Sequence, residues 1–163
     1  SAASDVYKRQ IPDSFEIARK MGLSYSFGIA NLTSAHPNSV VLEVKGKSGR
    51  TLEVQACSLG GGRIMINRLD GLDVNCSCEI PTLIVHNLDQ PGHVAEVTSM
   101  LAHKSVNIAN MSLYRDKRGG SAVMVVEMDQ PLPKESLEWL EHLEGIVKVT
   151  YINVTEGEED DVL

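Results

Sequence analysis

Between Pro81 and Val154 the hydrophobic period of this chain changes repeatedly, and few folds accommodate the order in which it does so. TLIVHN reads as a strand and LDQPG as a turn, and HVAEVTSMLAHK then places Val94, Val97, Thr98 and Leu101 on one helical face. NIANMSLYR returns to period two, with Ala109, Met111 and Leu113 on one side, and DKRGG turns it into SAVMVVEM. QPLPKESLEWLEHLEG is helical again, with Leu137, Leu140 and Leu143 as its stripe and Gly145 near its stop, and VKVTYINV closes as a strand. The order β-α-β-β-α-β is the split, ferredoxin-like arrangement. Both helices then lie on one face of the sheet, which leaves the other face or an edge to a partner.

Upstream, the pattern describes a different module, from Ile11 to about Asn75. IPDSFEIARKMG carries Phe15, Ala18 and Met21 at helical spacing, with Ser14 placed to cap the start and Gly22 to end it. Three extended runs follow a loop containing AHPNS: VVLEV, TLEVQACS and RIMINRL. GKSG and the glycine triplet join them, and Asp70-Gly71 turns the chain toward LDVN. The expectation is a helix packed on an antiparallel meander. CSCEIP, residues 76–80 and Pro81, marks the change of module, because Pro81 holds its predecessor extended and a fresh apolar run begins after it. Such a linker is too short for free tumbling. A chain of 163 residues, 42% hydrophobic, has material for one good core or two small ones, so two α+β modules fit it.

The ends read differently. SAASDVYKRQ, residues 1–10, shows neither alternation nor a helical stripe and reads as a disordered or non-native lead, so the first module is expected to be N-terminally truncated. The net charge is −7, and residues 155–163 alone hold five of the acids, a solvated acidic tail. Basic residues are nowhere concentrated enough to follow a phosphate backbone, so nucleic acid is not an expected partner. No run approaches the roughly 18 apolar residues needed to cross a bilayer, and no secretory signal opens the chain. A cytoplasmic protein without a membrane partner is the expectation.

Chemistry-bearing patterns are sparse. Histidines stand at 36, 86, 93, 103 and 142 with no metalloprotease spacing, and neither a nucleophile elbow nor a phosphate-binding lysine loop occurs. Cys57, Cys76 and Cys78 are an odd number without a secretory signal, which argues for reduced thiols. Cys76 and Cys78 would share a face of an extended segment, yet CSC and one distant thiol fall short of a four-thiolate site. No catalytic or metal residues are assigned.

Two loops remain as ligand candidates. Gly60, Gly61 and Gly62 lack dinucleotide-loop spacing and precede an alternating run instead of a helix. They read as a tight turn at positive φ, or as a backbone cradle for a small carboxylate. DQPGH ends a strand and opens a helix, so free N–H groups and the positive helix end point into it. Asp89 as N-cap and Pro91 in the first turn would be ordinary helix-start chemistry, and both readings stand open on spacing alone.

The stretch from TLIVHNLDQPGHVAEV through VNIANMSLYRDKRGGSAVMVVEMDQPL closely resembles an ACT domain, a small regulatory module that senses amino acids. The resemblance implies pairing of two such units, with an amino acid bound at their interface near the DQPG loop and the VNIANM strand. It carries Asn87, Asp89, Gly92, His93, Asn107 and Ile108 as matching positions. AHPNSVVLEV and SLGGGRIMINRLDG before an ACT domain together resemble the beta subunit of bacterial iron-sulfur-dependent L-serine dehydratase, which joins an allosteric-substrate-binding domain to an ACT domain. That likeness extends the ligand set to His36, Asn38, Ser58 and the triplet. It implies a non-catalytic beta chain that senses L-serine or a related amino acid and partners an alpha subunit carrying the 4Fe-4S cluster, and a homodimer formed through the ACT domain. The family's serine-rich SSSHT motif has no counterpart here. Two other readings are the C-terminal part of an ACT-containing phosphoglycerate dehydrogenase and a free-standing amino-acid sensor.

Overall fold

A computed structural model describes residues 12–32 and 35–153. The expected lead at 1–10 and acidic tail at 155–163 lie outside the described residues. Two compact units divide the chain, the first reaching Thr33 and the second beginning at Ser34.

In the first unit, residues 12–20 form helix α1. Ser14 lies inside the helix, whose described turns already include 12 and 13. Gly22, at φ +79°, ends it as expected: the Gly22 and Leu23 N–H groups bond back to the Arg19 and Ala18 carbonyls at 3.0 and 2.8 Å. Phe15 stacks on Tyr25 at 5.2 Å between ring centroids, and Phe27 meets both rings edge-on at 5.7 Å. Met21, predicted to join Phe15 on one stripe, stays 79% exposed.

The second unit opens with an antiparallel meander, β1 (Ser39–Lys45), β2 (Thr51–Gly60), β3 (Arg63–Leu69) and β4 (Leu72–Cys76), hydrogen-bonded in that order. The strands fall where alternation placed them. Gly61 and Gly62 make the two-residue link from β2 to β3 with φ of +64° and +80°, the geometry of a type I′ hairpin turn. β5 (Thr82–Leu88), α2 (His93–His103), β6 (Ile108–Arg115), β7 (Ser121–Met128), α3 (Lys134–Glu141) and β8 (Ile146–Ile152) follow in the predicted βαββαβ order. Their sheet runs β6-β7-β5-β8, which sets the first and third strands of this unit side by side at its centre.

Successive residues of β5 and β7 serve two cores. Leu83, Val85, Met124 and Val126 face the helices, where they pack with Val97, Leu101 and Leu140. Ile84, Val123 and Val125 face the opposite way, against Ile66, Leu69 and Val74 of the meander. The second face of the sheet is therefore covered by the first sheet and is not open to a partner. Both central strands lack an exposed face, which is why SAVMVVEM reads as an almost continuous apolar run. Cys76 and Cys78, in the predicted linker, are buried in this same inter-sheet core, with their Sγ atoms 3.6 Å apart. Tyr114 pins the two sheets further, since its hydroxyl accepts the Asn75 N–H at 3.0 Å.

Two predicted faces shift. On α2 the buried residues are His93, Val97, Met100 and Leu101, while Val94 is exposed, so the inward stripe starts one residue earlier than the apolar letters suggest. On β6 a register shift between Ile108 and Asn110 leaves Ala109 without a partner residue. The shift sets Ile108, not Ala109, beside Met111 on the helix-facing core.

Candidate functional site

The turn from β5 into α2 gathers Asn87, Asp89, Gly92 and His93. Helix α2 begins at His93 behind Gly92 as N-cap, which adopts φ +110° and offers no side chain to cap the first turn. The predicted capping role of Asp89 does not occur. Its carboxylate accepts the Gly119 N–H at 2.9 Å and pairs with Arg115 at 3.1 Å, which ties the loop to the β6–β7 hairpin. Asp89 is too far ahead of the helix to cap it once Gln90, Pro91 and Gly92 intervene. The Gly119 N–H, and with it the Arg115 guanidinium, outweighs partial desolvation and holds the Asp89 carboxyl below its ordinary range. The first turn of α2 is left without a side-chain cap, with its N–H groups and dipole directed to the loop.

Two buried acceptors stand beside it. The Asn87 side chain donates from Nδ2 to the Leu88 carbonyl at 2.6 Å, and its Oδ1 has no hydrogen-bond partner among the described residues. His93 Nδ1 lies 3.0 Å from Glu96 Oε2; a carboxylate can only accept, so Nδ1 carries a proton, and in the neutral ring Nε2 is then the acceptor. That Nε2 is likewise buried and unpartnered. It abuts Gly145, where an added Cβ would stand 2.6 Å from it, and Gly145 in turn accepts the Leu88 N–H at 2.9 Å. A buried polar atom without a partner is uncommon and costs stability. Two in one loop beside an uncapped helix suit a ligand that brings donors to Asn87 and His93 and negative charge to the helix end.

Asn107 and Ile108 are not brought to this loop within one chain. β7 begins opposite Leu88 at Ser121 and ends opposite Ile108 at Met128, a separation of about 24 Å at strand rise. Asn107 is anchored at that far end, where its N–H donates to Gln130 Oε1 at 2.7 Å and its side chain to Asp129 at 2.6 Å.

The other predicted set does converge, at one end of the meander. The Asn38 N–H donates to His36 Nδ1 at 3.2 Å, and the Ser58 N–H donates to the Asn38 carbonyl at 2.9 Å. The Gly60 N–H reaches Ser58 Oγ at 3.4 Å, so HPNS and SLGGG form one continuous patch although twenty residues separate them in sequence. A Cβ added at Gly60, Gly61 or Gly62 would meet nothing within 4 Å. Sequence reasoning missed Gly145 as a wall of the His93 site and saw it only as a helix stop. It also missed Arg115 and Gly119, which hold Asp89 through tertiary contacts that leave no local signal.

Comparison with known proteins adds to this geometry. The ACT-domain family matches residues 81–144. The chain is 31% identical over 148 residues to the probable L-serine dehydratase beta chain of Bacillus subtilis, covering 91% of this chain and 67% of that one. The chain belongs to the L-serine dehydratase beta-chain family. The L-serine dehydratase beta chain of Peptoniphilus asaccharolyticus is 29% identical over 146 residues, 89% of this chain and 66% of its own length. This beta-chain homologue thus spans about two thirds of the relatives it matches. D-3-phosphoglycerate dehydrogenase of Methanocaldococcus jannaschii is 31% identical over 90 residues, 55% of this chain and 17% of that enzyme. Among the described residues no helix is long and apolar enough to cross a membrane, and no three His, Cys, Asp or Glu side chains are grouped to hold a metal ion.

Proposed function

We propose that this beta-chain homologue is the regulatory subunit of an L-serine dehydratase, which converts L-serine to pyruvate and ammonia, and that it senses L-serine or a related amino acid. The observation that carries the reading is the pair of buried, unpartnered acceptors, Asn87 Oδ1 and His93 Nε2, beside the uncapped start of α2. An amino acid supplies what both features lack. Its ammonium is a donor for the acceptors, and its carboxylate suits the helix N-terminus. Asn107 and Ile108 join this site from a second chain, which makes the site complete only in a homodimer paired through the ACT units. The patch of His36, Asn38, Ser58, Gly60, Gly61 and Gly62 is a second contact region for the same class of ligand.

A 4Fe-4S cluster does not fit the donors described here. Cys57 accepts a hydrogen bond from Asn67 at 3.5 Å, and Cys76 and Cys78 face each other inside the inter-sheet core. The reading assigns the cluster and the elimination chemistry to an alpha subunit in the cytoplasm, and effector binding here biases that subunit between states by the typical 1–3 kcal/mol, about 5- to 150-fold. The dehydrogenase reading is the weaker one: those enzymes match at 31% identity over 55% of the chain or at 25% over 85%, against 31% over 91% for the Bacillus subtilis beta chain.

Calorimetric titration with L-serine, on the chain and on its complex with the alpha subunit, tests the proposal. Saturable heat is expected, with the part contributed by the DQPG loop lost in Asn87→Leu, which removes the orphaned acceptor without opening a cavity. A folded wild-type protein that neither binds L-serine nor melts at a higher temperature in its presence overturns the sensing role. Gly61→Val tests the second patch: unchanged affinity returns the triplet to a turn.

A further inference from the structure

At the end of the sandwich away from the glycine triplet, a cleft of about 660 Å³ opens between the two sheets. The meander contributes Arg50, Thr51 and Asp70, and the ACT unit contributes His86, Glu141 and Lys148. At the mouth, Arg50 Nη1 pairs with Glu141 Oε1 at 3.1 Å, both side chains nearly half exposed. On the floor, the Lys148 ammonium donates to the Thr51 carbonyl at 2.7 Å and to the Asp70 carboxylate, which also accepts the Glu53 N–H at 2.9 Å. His86 lies beside this pair with its side chain only 12% exposed. Its Nε2 is 3.5 Å from Asp70 Oδ2 and makes no hydrogen bond among the described residues.

We propose that this cleft is a second binding site, specific for a small zwitterion of the α-amino-acid class, which enters by exchanging its own two charges for the Arg50–Glu141 pair. The charge pattern selects the ligand. A simple anion drawn to Arg50 meets Asp70 and Glu141, and a simple cation drawn to Glu141 meets Arg50 and Lys148. A zwitterion replaces the broken pair charge for charge, with its carboxylate on Arg50 and its ammonium on Glu141. The mouth pair is the one that opens, because an exposed ion pair contributes little and its partners rehydrate readily. The floor pair stays closed, held by two further backbone groups. His86 Nε2 then gains the hydrogen bond it lacks. Burial, reinforced by the Lys148 and Arg50 charges and opposed by Asp70, keeps that imidazole below its ordinary pKa and neutral near pH 7, so it meets the ligand as a dipole and not as a third cation.

The site is distinct from the DQPG loop and does not depend on it, but one stretch of chain touches both. From Glu141 at the cleft mouth it passes Gly145 against His93 and returns to Lys148 on the cleft floor.

The test is an NMR titration of the full chain with glycine, the smallest such zwitterion, observing the His86 imidazole resonance assigned through His86→Gln. Glycine is expected to shift it saturably, while acetate and methylammonium, each carrying one of the two charges, leave it in place. Arg50→Gln and Glu141→Gln, both at exposed positions, are each expected to weaken the response at least tenfold, and Asn87→Leu to leave it intact. An unmoved resonance, an equal shift with acetate or methylammonium, full binding in both mouth variants, or loss of the response in Asn87→Leu overturns the proposal.

Discussion

Replacing Gly145 by alanine separates backbone strain from a specific contact. Gly145 adopts φ +82°, and a Cβ there would lie 2.6 Å from His93 Nε2 and 2.7 Å from Cε1. Holding an L-residue in the left-handed region costs about 1–2 kcal/mol. His93 is 7% exposed and fixed by Glu96 at 3.0 Å, so displacing its ring adds about 1–3 kcal/mol of overpacking. Gly145→Ala should therefore destabilise by roughly 2–5 kcal/mol, a drop in Tm of about 5–15 °C for a chain of this size. Gly49 is the control: its φ is +85° and a Cβ there meets nothing within 4 Å, so Gly49→Ala carries the backbone part alone. In a His93→Ala background the cost of Gly145→Ala should fall to the Gly49→Ala value. Urea unfolding of the four variants measures each difference. Equal losses in Gly145→Ala and Gly49→Ala, or an unchanged cost of Gly145→Ala after His93→Ala, would refute the packing argument.

Other outcomes follow from the same contacts. Leu69 is 1% exposed in the inter-sheet core, so Leu69→Ala should lose about 2–5 kcal/mol and lower a single transition seen equally by probes in either sheet. Two separate transitions would show that the sheets do not fold as one body. His86 is held below its ordinary pKa of 6.5, mainly by burial, so the unfolded chain binds its proton first as pH falls. Tm should then decline as pH drops below about 6.5, and His86→Gln should flatten that slope; an unchanged slope assigns it elsewhere. Asp70 has the opposite balance: burial raises its pKa, but the Lys148 ammonium, the Glu53 N–H and the nearby charges outweigh this and lower it below 3.8. Its contribution persists through that window and is lost only as pH falls through the depressed value, which Asp70→Asn should show as a missing acid-limb loss. Cys57, Cys76 and Cys78 are all free and buried, so a thiol reagent should modify them slowly in the native protein and quickly in urea. Rapid labelling of Cys76 or Cys78 in the folded chain would contradict the inter-sheet packing.

Local chemistry wrote most of the elements. Alternation in VVLEV, TLEVQACS and RIMINRL, punctuated by GKSG, GGG and Asp70-Gly71, gives the four-stranded meander, because side chains in a strand alternate faces and hairpin turns demand positive φ. The βαββαβ order of the second half is legible for the same reason. The stripes of α2 and β6 were misplaced because the deciding residues do not look apolar or regular. His93 is buried by its pairing with Glu96 and its contact with Gly145, and the shift at Ala109 changes the parity of the strand.

The candidate site was legible only as letters. DQPGH marks a helix start, but only the fold shows that Asp89 serves the β6–β7 hairpin and that Asn87 and His93 keep unpartnered acceptors. The strands, the helices, their order and the family are all written in local residue patterns. Tertiary structure decided that the first sheet covers the second, burying the linker thiols and leaving the charged cleft at one end. The pairs that line this cleft are 91 residues apart for Arg50 and Glu141 and 78 apart for Asp70 and Lys148. Hydrophobic period records only which way neighbouring side chains point; which distant charges meet depends on how two finished sheets pack.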